Sequence, residues 1–103
     1  MEFDRYTFVL LRRGQRALEM SRDEIDRHQA EHLAHLDAMR RRGVLVAAGP
    51  FEDQDDETKR GICIYRTDLE ETRRLAARDP SVRAGRLAIE AMTWLTLKGE
   101  LKA

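Results

Sequence analysis

Three histidines lie within one short segment of the chain, His28-Gln-Ala-Glu-His32-Leu-Ala-His35. In a helix, His32 points near the centre of the apolar stripe, whereas His28 and His35 lie at its margin. An imidazole changes its charge close to neutral pH, and it can act as a general acid or base when a carboxylate orients it. Proton transfer is therefore the first chemistry that these residues suggest.

Two other interpretations of the histidines stay open from the residues alone. A partly buried histidine often does no more than satisfy a hydrogen-bond partner. The spacing of His28, His32 and His35 could also hold zinc, but no glutamate follows the first histidine and no nearby cysteine completes a site, so we expect no metal. Spacing also leaves open which of several carboxylates would orient the histidine.

The composition limits both the size and the partners of the protein. A chain of 103 residues suits one domain over residues 1–103 with a single core. Its 19 basic and 19 acidic residues give zero net charge, which argues against binding to nucleic acid. No apolar stretch approaches the ~20 residues of a membrane span. The single cysteine, Cys63, fits a reducing compartment, so we expect a cytoplasmic protein that binds neither nucleic acid nor membranes.

The pattern of apolar residues and turn signals predicts the elements that position the histidines. Four short apolar runs predict strands over residues 6–11, 44–48, 62–66 and 87–97. Capping-box spacing at Ser21–Glu24 predicts a long helix that ends at Gly43. The same spacing at Thr67–Glu71 predicts a second helix that ends near Asp79-Pro80. The order β-α-β-β-α-β is that of a ferredoxin-like α+β sandwich, an antiparallel sheet with two helices on one face.

Both faces of this predicted sheet are apolar. In the first strand, Phe8 and Leu10 point to one face, and the residues that alternate with them are apolar as well. A sheet that is covered on one face only should carry polar residues on the other. The pattern therefore predicts a homodimer in which the faces without helices pack together.

Further residues are candidates for the wall of a pocket. Gly49 and Pro50 follow the second strand and could shape the pocket floor, although turn formation explains them about as well. Arg60 and Arg86 could meet an anionic group of a substrate, although most arginines in so charged a chain lie on the surface. Cys63, within an apolar strand, is expected to be a small buried residue.

Several segments, in order along the chain, resemble one known family. They are His32-Leu-Ala-His-Leu, Gly43-Val-Leu-Val-Ala-Ala-Gly49-Pro50-Phe51, Arg60-Gly61-Ile62 and Asp79-Pro80-Ser-Val-Arg-Ala-Gly85-Arg86-Leu87. Together they are similar to the YciI-like (YCII-related) family over nearly the whole chain. The resemblance implies a dimeric ferredoxin-like α+β fold and an active site built around one histidine and one aspartate.

The resemblance also selects the two residues of that site. The family's histidine precedes a glycine by about three helical turns, which matches His32 before Gly43, and its aspartate matches Asp79. Without the resemblance, Asp79 before proline is explained by the end of a helix. With it, Asp79 accepts a proton from one nitrogen of His32, and the other nitrogen faces a ligand. His28 and His35 have no counterpart, but either could line the same cavity and bind substrate.

The leading hypothesis is a small-molecule enzyme in which His32, oriented by Asp79, removes a proton in an elimination or isomerisation. The chain has no serine elbow, P-loop or glycine-rich dinucleotide turn, so we expect no cofactor. The main alternative is a non-catalytic module of the same fold that binds a small ligand or a partner. A haem- or metal-using relative is the third hypothesis.

Overall fold

A computed structural model describes residues 1–101 of the chain. Within them lie four strands, β1 (Phe3–Arg13), β2 (Leu45–Pro50), β3 (Lys59–Tyr65) and β4 (Leu87–Leu97). The helices are α1 (Arg22–Arg41), α2 (Leu69–Ala76) and α3 (Pro80–Arg83), and a short 3₁₀ turn spans Ala17–Glu19. No helix in this part of the chain is both long and apolar enough to cross a membrane.

The four strands form one sheet in the order β2-β3-β1-β4, and all neighbouring strands are antiparallel. The longest pairing joins β1 to β4, from Phe3 opposite Leu97 to Arg13 opposite Leu87. With the helices inserted after β1 and β3, this topology is the ferredoxin-like α+β fold. The predicted fold class is confirmed.

Helix α1 begins and ends where the sequence predicts. The hydroxyl of Ser21 accepts a hydrogen bond from the Glu24 amide at 3.1 Å, and the Glu24 carboxylate accepts one from the Ser21 amide at 3.1 Å. These two bonds complete a capping box. Gly43, with a φ of 78°, turns the chain out of the helix in the left-handed conformation that glycine adopts most easily.

The core lies between the helices and one face of the sheet. Its buried members come from all four strands and from α1 and α2, and they are Val9, Leu11, Met39, Leu45, Cys63, Tyr65, Leu75 and Leu87. The residues that alternate with them point to the other face, where the ring of Phe8 meets that of Trp94 edge to face at 6.5 Å. That face carries the apolar side chains of Phe8, Met92 and Trp94 together with an ion pair between Arg12 and Glu90. Its covering by a second copy stays a prediction.

The segment around Asp79-Pro80 differs from the prediction. Helix α2 is capped by Asp68, whose carboxylate accepts from the Glu71 amide at 2.8 Å, and it already ends at Ala76. Asp79 then caps the separate one-turn helix α3, with Pro80 at its first position. Proline cannot continue a helix but suits its first turn, so this dipeptide begins α3 and does not end α2.

Candidate functional site

A cavity of about 500 Å³ lies between α1 and the sheet. Helix α1 forms one wall, in which His32, Leu36 and Arg40 take part. The end of β2 and the starts of β3 and β4 form the opposite wall, and Gly49 and Leu87 are among its residues. The cavity therefore depends on how α1 packs across three strands that are distant in sequence.

His32 and Asp79 form a buried pair beside this cavity. Nδ1 of His32 lies 2.5 Å from Oδ2 of Asp79, and the two residues are only 6% and 3% exposed. His32 lines the cavity, whereas Asp79 lies behind it and does not. Since Nδ1 is occupied by the carboxylate, Nε2 is the ring nitrogen left for a molecule in the cavity.

Asp79 is held in place through both carboxylate oxygens. Oδ2 contacts His32, and Oδ1 accepts a hydrogen bond from the Ser81 amide at 2.9 Å. The second bond is the N-terminal cap of α3, a role that aspartate performs well because its oxygen reaches the free amides of the first turn. The short helix α3 therefore fixes the orientation of the carboxylate that faces His32.

The surroundings of Asp79 favour its charged form. Burial raises the pKa of this carboxyl group, but the hydrogen bond and the positive charge of His32, together with the amide of Ser81, lower the pKa by more. The resulting pKa lies below the usual aspartate value. A carboxylate of this kind accepts the Nδ1 proton of His32 and stabilises the protonated ring without taking the proton away.

His28 and His35 do not line the cavity of His32. The ring of His28 lies 3.0 Å from the carboxylate of Glu31, and its backbone carbonyl accepts a hydrogen bond from Ser81 of α3. Nε2 of His35 is buried without a hydrogen-bond partner in the described residues. At about 100° per residue, both side chains lie on the same side of His32, towards α3 and away from the cavity. We therefore assign neither histidine a contact with substrate.

Gly49, Pro50 and Arg60 line the cavity at the end of the β2–β3 pair. A Cβ atom added to Gly49 would meet no atom within 4 Å, whereas one added to Gly61 would lie 2.5 Å from the carbonyl oxygen of Gly49. The position at this end of the cavity that requires glycine for close packing of backbone is therefore Gly61, across the strands from Gly49.

Ser81 and Arg86 form hydrogen bonds next to the His32–Asp79 pair, and the sequence predicts no role for Ser81. The Ser81 hydroxyl donates a hydrogen bond to the His28 carbonyl at 2.8 Å and accepts one from Nε of Arg86 at 2.9 Å. Nη2 of Arg86 donates to the side chain of Gln29 at 2.8 Å. The sequence contains one indication of this role for Ser81, which is its position directly after Asp79-Pro80. That position lies in the first turn of α3, a helix that the apolar pattern does not predict.

Cys63 lies near Asp79 but is not activated as a nucleophile. Burial, with the nearby charge of Asp79, raises the pKa of the Cys63 thiol to about 12, so the thiolate form is rare at neutral pH. In residues 1–101, no three or more histidine, cysteine or acidic side chains are close enough together to hold a metal ion. The arrangement is suited to moving a proton at Nε2 of His32.

Comparison with known proteins places the chain in a family. The model of the YCII-related domain matches residues 7–94. A solved structure of similar fold is 5-chloro-2-hydroxyhydroquinone dehydrochlorinase from Burkholderia phenoliruptrix AC1100, in complex with 2,5-dihydroxybenzoquinone. It is 20% identical, with a TM-score of 0.62, over 86% of this chain and 92% of that one. No curated protein matches the chain significantly. The family model covers most of the chain, and the chain therefore belongs to the YCII-related domain family.

Proposed function

We propose that this protein is a small-molecule enzyme in which His32 and Asp79 transfer a proton without a cofactor, in an elimination or isomerisation. The observation that carries the proposal is the 2.5 Å contact between Nδ1 of His32 and Asp79, buried directly behind the wall of a cavity. This contact supports the proposal because His32 itself lines the cavity and because, within residues 1–101, the hydrogen bond of its ring is made through Nδ1.

The proposed reaction begins with a neutral His32. Its Nδ1–H donates to Asp79, so the lone pair of Nε2 faces the substrate. Nε2 takes a proton from a carbon atom of the substrate, and the electron pair of that C–H bond forms a double bond as a leaving group departs or as charge moves to a carbonyl oxygen. The protonated ring, stabilised by Asp79, then returns its proton to the leaving group, to another substrate atom or to water.

The structural neighbour supports the reaction class. That protein is named as a dehydrochlorinase, and removal of hydrogen chloride is an elimination in which one proton and one chloride leave. Its bound 2,5-dihydroxybenzoquinone makes hydroxylated rings the first compounds to test with this protein. A ring of that size fits a cavity of about 500 Å³.

We further propose that the protein is a cytoplasmic homodimer that binds neither nucleic acid nor membranes. The exposed side chains of Met92 and Trp94, on the sheet face without helices, support pairing with a second copy. The zero net charge supports the absence of a nucleic-acid partner.

Turnover of chlorinated and unchlorinated hydroxyquinols by the wild type and by His32→Gln tests the enzymatic proposal. We expect the substitution to lower kcat/KM by about 10²–10⁴-fold, the usual contribution of general acid–base catalysis. His28→Gln, on the same helix but outside the cavity, is the matched control and should retain activity. Equal activity of His32→Gln and the wild type would contradict the proposal. Saturable binding without turnover, unaffected by His32→Gln, would favour the alternative, a non-catalytic ligand-binding module.

A further inference from the structure

The cavity beside His32 carries positive charge without matching negative charge. Arg40, Arg60 and Arg86 all line it. Within residues 1–101, none of these three forms an ion pair with a carboxylate. Asp26 also lines the cavity, but its carboxylate lies 3.6 Å from Nε of Arg22. Arg60 donates a hydrogen bond to the Glu57 carbonyl at 3.1 Å, which is a neutral acceptor. The charges of the three guanidinium groups are therefore not neutralised by a carboxylate of the described residues.

Arg86 is the most firmly held of the three. Its guanidinium is half-buried and donates to the Ser81 hydroxyl and to the Gln29 amide oxygen, both of which are neutral acceptors. These bonds orient the group but leave its charge uncompensated. Two of its five N–H donors are used in this way, so three remain for a ligand.

Arg86 is partly buried close to a second positive charge, that of Arg60. Burial lowers the pKa of Arg86, Asp79 opposes this, and the positive charge of Arg60 lowers the pKa further. Within residues 1–101, Asp79 forms no ion pair with Arg86, and its two oxygens contact His32 and the Ser81 amide instead. An anion bound near Arg86 and Arg60 would relieve the repulsion between the two guanidinium groups.

We propose that the cavity binds a small organic oxyanion, a carboxylate or an ionised enol, through Arg86 and Arg60. Apolar side chains of the cavity, among them Leu11, Leu36 and Leu87, cover the hydrocarbon part of the molecule. The binding of the anion does not require that the protein is an enzyme. Only the expectation that the bound anion turns its reacting carbon towards His32 rests on the proposed function. Planar oxyanions are the ligands that the fork-shaped guanidinium recognises best.

Ser81 is the positioning residue that connects the two halves of this site. Its amide holds Asp79, and its hydroxyl holds Nε of Arg86, while the residue itself is fully buried. Ser81→Ala keeps the amide bond and removes only the hydroxyl. We expect this substitution to raise KM several-fold with little change in kcat, because it disturbs the anion-binding arginine and leaves the His32–Asp79 contact in place.

Calorimetric titration with benzoate and benzamide tests the proposal, since the two probes share a ring and differ in charge. We expect the wild type to bind benzoate at least tenfold more tightly than benzamide. Arg86→Met should weaken benzoate binding about tenfold or more, the usual effect of losing a charge-assisted hydrogen bond. Arg83→Met, an exposed arginine of α3, is the matched control and should bind benzoate as the wild type does.

Arg60→Met provides a second variant in case Arg86→Met does not fold, because Arg60 is exposed and its loss should weaken benzoate binding in the same direction. Equal binding of the two probes, no binding of benzoate by the wild type, or unchanged benzoate binding in the arginine variants would overturn the proposal. His32→Gln should still bind benzoate. If the wild type binds benzoate but turns over none of the tested substrates, the result would support the anion site. It would contradict only the proposed enzymatic function.

Discussion

At the scale of single residues, the site depends on two donors that meet one carboxylate. Asp79 receives Nδ1–H of His32 on one oxygen and the Ser81 amide on the other. The first donor belongs to the residue that we propose as the base, and the second belongs to the first turn of α3. Because both oxygens are occupied, the carboxylate is fixed before any substrate arrives, which is the preorganisation that an acid–base pair needs.

Asp79→Asn should reveal the stabilising effect of this carboxylate through its pH dependence. The pKa of Asp79 in the folded protein lies below its usual value, so its charge stabilises the fold at pH values above the unfolded pKa of about 3.9, and this stability is lost as the pH falls through the lower, folded pKa. We expect the substitution to reduce the free energy of unfolding by about 1–3 kcal/mol at neutral pH.

Urea unfolding of the wild type and Asp79→Asn, at pH 7 and again near pH 3, measures this effect. The difference in unfolding free energy between the two proteins should shrink at the lower pH. A difference of the same size at both pH values would show that the charge of Asp79 does not stabilise the fold.

At the scale of elements, local sequence predicted α1 much better than α3. Ser21 and Glu24 make their capping bonds with each other, so residues close in sequence determine the start of α1. Asp79-Pro80 is compatible with either the end or the start of a helix. Asp79 makes its capping bond with Ser81, two residues later, so the start of α3 is also local. The other oxygen of Asp79 contacts His32, 47 residues earlier in the chain, and no local pattern contains that contact.

Gly61→Ala should destabilise the β2–β3 pair, whereas Gly49→Ala should not. A Cβ atom at Gly61 would lie 2.5 Å from the carbonyl oxygen of Gly49, and backbone at that distance must move. We expect a loss of about 1–3 kcal/mol in the free energy of unfolding, the usual cost of overpacking. Thermal or denaturant unfolding measures both variants. Equal stability of the two would contradict the close approach at Gly61.

At the scale of the whole molecule, the apolar faces of the sheet were predictable from the sequence, but the meeting of three arginines in one cavity was not. The alternation of apolar residues in each strand predicts both faces directly. The cavity, in contrast, brings together three arginines from separate elements. Arg40 lies at the end of α1, Arg60 at the start of β3 and Arg86 directly before β4. The sequence associates Arg40 with a helix end and shows nothing of its distance to the other two. The packing of α1 across the sheet decides that distance.

Trp94→Glu should convert the proposed dimer into a monomer. Trp94 is 39% exposed on the sheet face without helices, next to Phe8, and a buried glutamate there would lack a partner for its charge. Sedimentation measures the change in mass. Leu18→Glu, at an exposed site in the 3₁₀ turn, is the control and should keep the mass of the wild type. A wild type that sediments as a monomer would contradict the pairing through this face.

The most direct measurement of the central claim is the tautomer of neutral His32, observed by ¹⁵N NMR of the ring nitrogens in the wild type and in Asp79→Asn. In the wild type, the contact with Asp79 predicts a proton on Nδ1 and a free lone pair on Nε2. In Asp79→Asn, the Ser81 amide keeps the side-chain oxygen on its own side, so the NH₂ group faces Nδ1 and the proton should move to Nε2. A proton on Nε2 in the wild type, or the same tautomer in both proteins, would contradict the proposed role of His32 as a base oriented by Asp79.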